Sequence, residues 1–205
     1  MKSNFTLFLA SSSQSRQLLL KESKIPFQLV RQDADESGYD RELSLQGVVE
    51  HIAQFKMDHA ILPAGNKDGE ICFVLTADTL SQDVDGTIHG KPADRADAIE
   101  KIKAARRGAK LCTAFCLDRK VWRNNTWHVE KRIERSVFAE YTFVIPDAWI
   151  ENYLSNVAFQ GCSNAIAVEG YGWQFLKEVR GSYTSIMGLP VFEVREALEE
   201  IGFFN

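Results

Sequence analysis

The sequence predicts an α/β fold with a mixed, partly antiparallel central sheet flanked by helices. Helical and β-like segments alternate in the first half of the chain, and β-like segments cluster in the middle. The segment Ile71–Ala77 is nearly all apolar, so we expect a central strand that is buried on both faces. Because the chain has 205 residues, of which 45% are hydrophobic, it can bury one sizeable core, and we expect a single domain over residues 1–205.

The individual elements follow from local patterns. The apolar run Phe5–Leu9 predicts a buried first strand, and helical spacing of apolar residues predicts an amphipathic helix over about Ser44–Leu62. Asp85-Gly86 predicts the turn of a hairpin over Leu80–His89. The other predicted helices are Ser15–Glu22, Arg95–Ala105, Pro146–Leu154 and Val191–Ile201. The other predicted strands are Phe27–Val30, Leu111–Leu117, Val121–Val129 after a break near Asp118-Arg119-Lys120, Ser136–Val144, Ile166–Glu169 and Trp173–Val179.

Charge and cysteine usage narrow the class of protein. The formal net charge of −4 argues against general nucleic-acid binding, and no apolar stretch is long enough to span a membrane. The four cysteines lie in or beside apolar segments and form no Cys-x-x-Cys motif. We therefore expect reduced thiols in a cytoplasmic protein.

The segment from Leu9 to Leu20 carries the most functional information. A short apolar run gives way to Ser11-Ser12-Ser13 and then to a helix that contains Arg16. Free backbone N–H groups at a helix start, serine hydroxyls and an arginine together form a favourable site for an anion such as phosphate. The plainer alternative is that a serine here only caps the helix.

Two later segments support the anion site. Ala77-Asp78-Thr79-Leu80 is followed by Gly90-Lys91-Pro92, and Gly181-Ser182-Tyr183 is followed by Gly188-Leu189-Pro190. With these motifs in this order, the chain resembles the Maf family of nucleoside triphosphate pyrophosphatases from Leu9 to Pro190. One departure is Ser13-Gln14-Ser15-Arg16 where that family typically has Ser-Pro-Arg-Arg, so that one arginine is missing.

The resemblance implies a fold of two lobes around a cleft, often as a homodimer, and a reaction. The enzyme would hydrolyse a nucleoside triphosphate to the monophosphate and pyrophosphate. Asp78 would be the catalytic acid group, and Asp78 with Glu36 would bind a divalent cation, Mg²⁺ or Mn²⁺. Arg16, Lys56 and Lys91 would neutralise the phosphates, with Ser11, Ser13 and Ser15 beside them.

Each of these residues also has a plainer interpretation. Asp78 follows the apolar run Ile71–Ala77, so it is expected at the end of a strand, where it could be only a turn residue. Glu36 lies in an acidic segment that would commonly be a solvated loop. Lys56 adjoins the apolar stripe of its helix, where a lysine often extends its amine to solvent.

The base preference is open between two types. Thr79 matches family members that act on dTTP and UTP, whereas Glu169 matches members that act on 7-methyl-GTP, and Ser15 matches neither. A carboxylate only accepts hydrogen bonds, and guanine offers it adjacent N–H donors, whereas uracil and thymine offer one N–H between two carbonyls. Glu169 therefore favours a guanine-like or cytosine base. The alternative to an enzyme is a nucleotide-binding regulator of septum formation with little turnover.

Overall fold

The computed structural model describes residues 5–35 and 43–204. The strands are β1 (Thr6–Leu9), β2 (Gln28–Leu29), β3 (Arg31–Gln32), β4 (Ala60–Ile61), β5 (Ile71–Asp83), β6 (Ile88–His89), β7 (Ala109–Arg123), β8 (Thr126–Phe143) and β9 (Leu176–Gly181). The α-helices are α1 (Gln14–Glu22), α2 (Leu45–Asp58), α3 (Arg95–Ala105), α4 (Asp147–Asn156), α5 (Tyr183–Ile186) and α6 (Val191–Glu200). Among the residues described, no helix has the length and apolar character needed to cross a membrane.

The sheet is mixed, which confirms the predicted fold class. Its strand order is β2-β1-β5-β7-β8-β9, and β6 pairs with β5. Strand β1 runs parallel to β2 and to β5, whereas the pairs β5–β6 and β8–β9 are antiparallel. Strands β3 and β4 form a separate antiparallel pair.

The chain forms two compact units. The first unit comprises Met1–Asp78, Ala114–Ser136 and Leu189–Asn205, and the second comprises Thr79–Thr113 and Val137–Gly188. Part of the core of the first unit is a cluster of Phe8, Met57, Cys72, Val74 and Cys116. The core of the second unit is rich in aromatic residues, since Phe143, Tyr153 and Phe175 meet there edge to face.

Several helices begin where side-chain caps can form. Ser13 accepts a hydrogen bond from the backbone N–H of Arg16 at the start of α1, and Ser44 accepts one from Gly47 at the start of α2. Such caps satisfy backbone donors that have no partner inside the helix. The interpretation of the serine as a helix cap is therefore confirmed. The cap does not exclude an anion at the same helix start, and that site stays a prediction.

The predicted break near Asp118 is wrong. Strand β7 runs through it without interruption, and the chain turns instead at Asn124 and Asn125, which both adopt positive φ. Asp118 is fully buried, and Arg132 on β8 binds both of its oxygens at 2.7 and 2.9 Å. A charged residue is accepted inside the strand because its charge is paired there. The predicted strand Val121–Val129 is divided between the end of β7 and the start of β8. The predicted strand Ser136–Val144 lies in the second half of β8, which ends at Phe143.

The predicted strand Ile166–Glu169 is also wrong, and the predicted strand Trp173–Val179 begins only at Leu176. The hydroxyl of the buried Tyr153 accepts from the N–H of Ala167 at 2.7 Å and lies 3.3 Å from the Ala165 carbonyl oxygen. This side chain supplies the hydrogen bonds that a neighbouring strand would have provided. Residues Gly170–Phe175 then form a short 3₁₀ helix.

The hairpin over Leu80–His89 is confirmed, with Ser81 opposite His89. However, β5 does not end at Ala77 but continues to Asp83. The polar residues that suggested a strand end lie within the strand. Asp78 is therefore held inside an extended backbone and is not a turn residue.

Candidate active site

The loop between β1 and α1 is shaped by its own hydroxyl groups. The Ser11 Oγ accepts a hydrogen bond from the backbone N–H of Ser13 at 3.2 Å and another from Arg16 Nη1 at 3.2 Å. A serine hydroxyl has two acceptor lone pairs and one donor hydrogen, so these contacts occupy the lone pairs. The hydrogen of the Ser11 hydroxyl can then be donated to an anion.

Arg16 is buried, with only 8% of its surface exposed, and its guanidinium is directed at the serine loop. Ser15 is half-buried in the first turn of α1. The loop therefore combines a helix start with a cation held by packing, which suits an anion.

Asp78 and Lys56 form a buried ion pair within the first unit. The Lys56 Nζ lies 2.7 Å from Asp78 Oδ1, and the two side chains are 7% and 10% exposed. A hydrogen bond of 2.7 Å from the Thr76 hydroxyl to the Ala53 carbonyl fixes α2 against β5 beside the pair. The alternative in which Lys56 extends to solvent is therefore wrong.

The second carboxylate oxygen of Asp78 differs from the first. Asp78 Oδ2 is buried and has no hydrogen-bond partner among the residues that the structure describes. A buried acceptor without a partner is costly, and its lone pairs can take a hydrogen bond or coordinate a hard cation. The donor chemistry of Asp78 therefore fits Mg²⁺ or Mn²⁺. Glu36, the predicted second ligand, lies outside the described residues.

In the second unit, the Thr79 side chain contacts the segment that precedes Leu189 of the Gly188-Leu189-Pro190 motif. Its hydroxyl lies 2.9 Å from the Thr113 hydroxyl, which donates to the Ser185 carbonyl at 2.8 Å. Because Thr113 uses its only hydrogen in the second bond, Thr79 is the donor in the first. This threonine therefore helps to fix the chain around α5.

Lys91 has an exposed side chain on a fixed backbone. The preceding carbonyls of His89 and Gly90 accept hydrogen bonds from the Ser163 hydroxyl at 2.9 Å and the Asn164 N–H at 3.0 Å. The carbonyl of Lys91 itself accepts from Lys101 Nζ at 3.1 Å. The ammonium of Lys91 is thus available to a ligand, while its attachment point is held in place.

Glu169 is half-buried at the start of the 3₁₀ helix. The pKa of the Cys162 thiol is raised to about 12, chiefly by burial and also by the charge of Glu169, while the charge of Lys91 opposes the shift. Glu169 and Lys91 therefore act on the same group in the second unit.

Comparison with known proteins identifies the family. The model of the family described as "Maf-like protein" matches residues 6–201. This chain belongs to the Maf-like family.

Curated Maf relatives span nearly the same length. A protein of Fusobacterium nucleatum named dTTP/UTP pyrophosphatase is 30% identical over 204 residues, which cover 96% of each chain. A protein of Dechloromonas aromatica with the same name is 31% identical and covers 96% of this chain and 98% of its own. One of Clostridium beijerinckii, also so named, is 31% identical over 95% of this chain.

The Maf motif residues fall into both compact units. The structure brings Ser11, Arg16, Lys56 and Asp78 into the first unit, with the Lys56–Asp78 contact as a direct link. Thr79, Lys91 and Glu169 lie in the second unit.

Sequence reasoning missed the support of Lys91 by Ser163 and Asn164. Asn164 adopts a φ of 58°, a left-handed conformation that asparagine tolerates better than most residues. The sequence alone does not show which carbonyl groups Ser163 and Asn164 meet.

Proposed function

We propose that this Maf protein is a nucleoside triphosphate pyrophosphatase that releases pyrophosphate and a nucleoside monophosphate. The names of its relatives support this activity. The observation that carries the proposal is the buried Asp78, paired with Lys56 through one oxygen while the other oxygen has no partner among the described residues. A carboxylate fixed in this way is suited to receive a proton from an attacking water.

Asp78 orients the water and accepts its proton through Oδ2 as the water attacks the α-phosphorus. A divalent cation bound by Asp78 and Glu36 would neutralise phosphate charge and polarise the reacting phosphoryl group. Lys56 holds the Asp78 carboxylate in one orientation through its 2.7 Å contact. General-base catalysis of this kind contributes about a hundredfold to ten-thousandfold in rate.

The leaving pyrophosphate carries the charge that develops in the reaction. Arg16, the Ser11 hydroxyl and the backbone around Ser13 and Ser15 would bind phosphate oxygens at the start of α1. Lys91 would add an ammonium group, as the family motif Gly90-Lys91-Pro92 implies. These groups lower the barrier because they are already positioned to bind the negative charge that develops in the transition state.

The names of the relatives and the residue Glu169 favour different bases. The relatives' names favour thymine and uracil, and Thr79 agrees with them. Glu169 favours a guanine-like or cytosine base, because its carboxylate meets N–H donors better than carbonyl groups. We propose that Glu169 sets the selectivity among bases.

The cellular setting is a further part of the proposal. All four cysteines are free thiols in the structure, which supports a reducing compartment, and we place the enzyme in the cytoplasm. We expect a homodimer, which sedimentation of the purified protein checks.

The test is product analysis with a panel of dTTP, UTP, CTP, GTP and 7-methyl-GTP in the presence of Mg²⁺ or Mn²⁺. We expect pyrophosphate, and no orthophosphate, from at least one nucleotide, and loss of the activity with a chelator. Release of orthophosphate would contradict the proposed reaction. Tight nucleotide binding without turnover would instead favour the regulator of septum formation.

A further inference from the structure

Trp173 is unusually exposed for its size. Among the large hydrophobic side chains of the described residues it has the greatest exposed fraction, 65%. Apolar surface of this extent is unfavourable in water, and a large exposed aromatic side chain commonly marks a contact with a ligand or another molecule.

The indole of Trp173 is nevertheless fixed. Its Nε1–H donates to the Tyr183 hydroxyl at 2.8 Å, and that hydroxyl lies 3.3 Å from the Val168 carbonyl oxygen that it donates to. The backbone before it is equally constrained, because a Cβ at Gly172 would lie 1.8 Å from the Ala167 carbonyl oxygen. Trp173 is therefore a rigid exposed ring, which loses little conformational freedom when a ligand packs on it.

The same short turn connects Trp173 with Glu169. The Gly172 N–H donates to the Glu169 carbonyl at 3.0 Å, which closes a backbone turn that leads from Glu169 to Trp173. Burial raises the pKa of the Tyr183 hydroxyl, and the charge of Glu169 adds to this effect.

We propose that Trp173 stacks on the face of the substrate's nucleobase while Glu169 binds the edge of the same base. This inference rests on the proposed function of Glu169. A carboxylate and an adjacent aromatic ring match the two surfaces of a nucleobase, namely a hydrogen-bonding edge and a π face. Trp173 and Glu169 lie on the same turn. This favours a nucleobase, rather than a second copy of this chain, as the group that covers the indole ring.

The first test compares Trp173→Ala, Trp173→Phe and the matched control Trp149→Ala. Trp149 is 48% exposed in the second unit and has no place in the proposed site. For the best nucleotide of the panel, Trp173→Ala should raise KM about tenfold or more, the lower part of the range for one lost base–aromatic stack. The kcat should stay within about twofold, since stacking acts equally on the bound substrate and the transition state. Trp173→Phe should restore most of the affinity, and the control should match wild type.

Inorganic tripolyphosphate, which has no base, separates stacking from a structural role. Its inhibition constant should be the same for wild type and Trp173→Ala. An unchanged KM for nucleotides, or an equal weakening of nucleotide and tripolyphosphate binding, would overturn the proposal. Dissociation of an oligomer by Trp173→Ala, seen in sedimentation, would also overturn it in favour of an interface between copies.

Tryptophan fluorescence provides a readout without turnover. Titration with CMP, GMP and UMP should quench the emission of wild type and of Trp149→Phe, and the quenching should be lost in Trp173→Phe. Equal quenching in all three proteins would contradict stacking on Trp173. Because this measurement needs only binding, it decides the role of Trp173 even if no nucleotide is hydrolysed and the proposed function fails.

Discussion

Asp78 and Lys56 form a buried ion pair whose two members have different roles in the proposed reaction. Lys56 fixes one carboxylate oxygen of Asp78, and the other oxygen is buried without a hydrogen-bond partner among the described residues. Burying two charges is costly, and removing one partner of such a pair is strongly destabilising because the other charge stays behind. We therefore expect a substitution of Asp78 to change stability as well as the proposed activity.

We predict that Asp78→Asn lowers kcat by about a hundredfold or more, the lower range for a lost general base. The free energy of unfolding should also fall, by up to about 3–5 kcal/mol, because the Lys56 ammonium then faces a neutral amide. The double variant Asp78→Asn with Lys56→Gln should recover part of the stability and none of the activity. Steady-state kinetics and urea denaturation measure both effects. Wild-type kcat in the single variant would exclude Asp78 as the base.

Glu169 is the residue that we expect to select among nucleobases. Replacement by glutamine supplies an N–H donor beside an acceptor, which uracil and thymine can pair with. We expect Glu169→Gln to shift the ratio of kcat/KM toward UTP and dTTP by about tenfold, or about 1.4 kcal/mol. The exposed Glu140 provides a control, since Glu140→Gln should leave the ratio unchanged. An unchanged ratio in Glu169→Gln would remove this residue from base selection.

At the scale of elements, the irregular segment around Ile166 shows how a side chain replaces strand pairing. Tyr153 on α4 satisfies the backbone of Ala165 and Ala167, and Asn164 and Ser163 hold the carbonyls that precede Lys91. The segment can therefore be irregular and still be buried. It leads directly into the turn that carries Glu169.

We predict that Tyr153→Phe lowers the free energy of unfolding by about 1–3 kcal/mol, because the buried N–H of Ala167 then has no acceptor. Amide hydrogen exchange at Ala167 should become faster by a corresponding factor. Tyr171→Phe is the matched control, since the Tyr171 hydroxyl bonds to Asn152 at an exposed site and its loss should be nearly neutral. Equal stability of Tyr153→Phe and wild type would show that the segment does not depend on this hydroxyl.

At the scale of the whole molecule, the sequence predicted the elements whose signals are local. The start of α1 at a serine cap, the amphipathic α2 and the hairpin after β5 depend on neighbouring residues and are confirmed. The predicted end of α2 near Leu62 is wrong, because the helix ends at Asp58 and Ala60–Ile61 forms β4. The uninterrupted β7 depends on the contact of Asp118 with Arg132, two residues that are distant in sequence. Likewise, the motif identified Lys56 and Asp78 individually, but only the structure shows that they are paired.

The buried cysteines should make the stability of the protein depend on pH. Burial raises the pKa of the Cys72 thiol to about 12, and burial also raises that of Cys116. In native protein at about pH 8, the buried Cys72, Cys112 and Cys116 should therefore react slowly with a thiol reagent, and all four cysteines should react after unfolding. Because the unfolded thiols lose protons near their ordinary value of 9.0, the free energy of unfolding should fall as the pH rises above it. Fast reaction of the native thiols would contradict their burial.

The atom that water attacks distinguishes the proposed reaction of Asp78 from other hydrolytic reactions of a nucleotide. Hydrolysis of the best nucleotide in water enriched in heavy oxygen, followed by mass spectrometry, shows which product receives the oxygen of the attacking water. We predict that the label enters the nucleoside monophosphate and that pyrophosphate stays unlabelled, because water held by Asp78 attacks the α-phosphorus. Label in pyrophosphate, or the release of labelled orthophosphate, would contradict attack at the α-phosphorus.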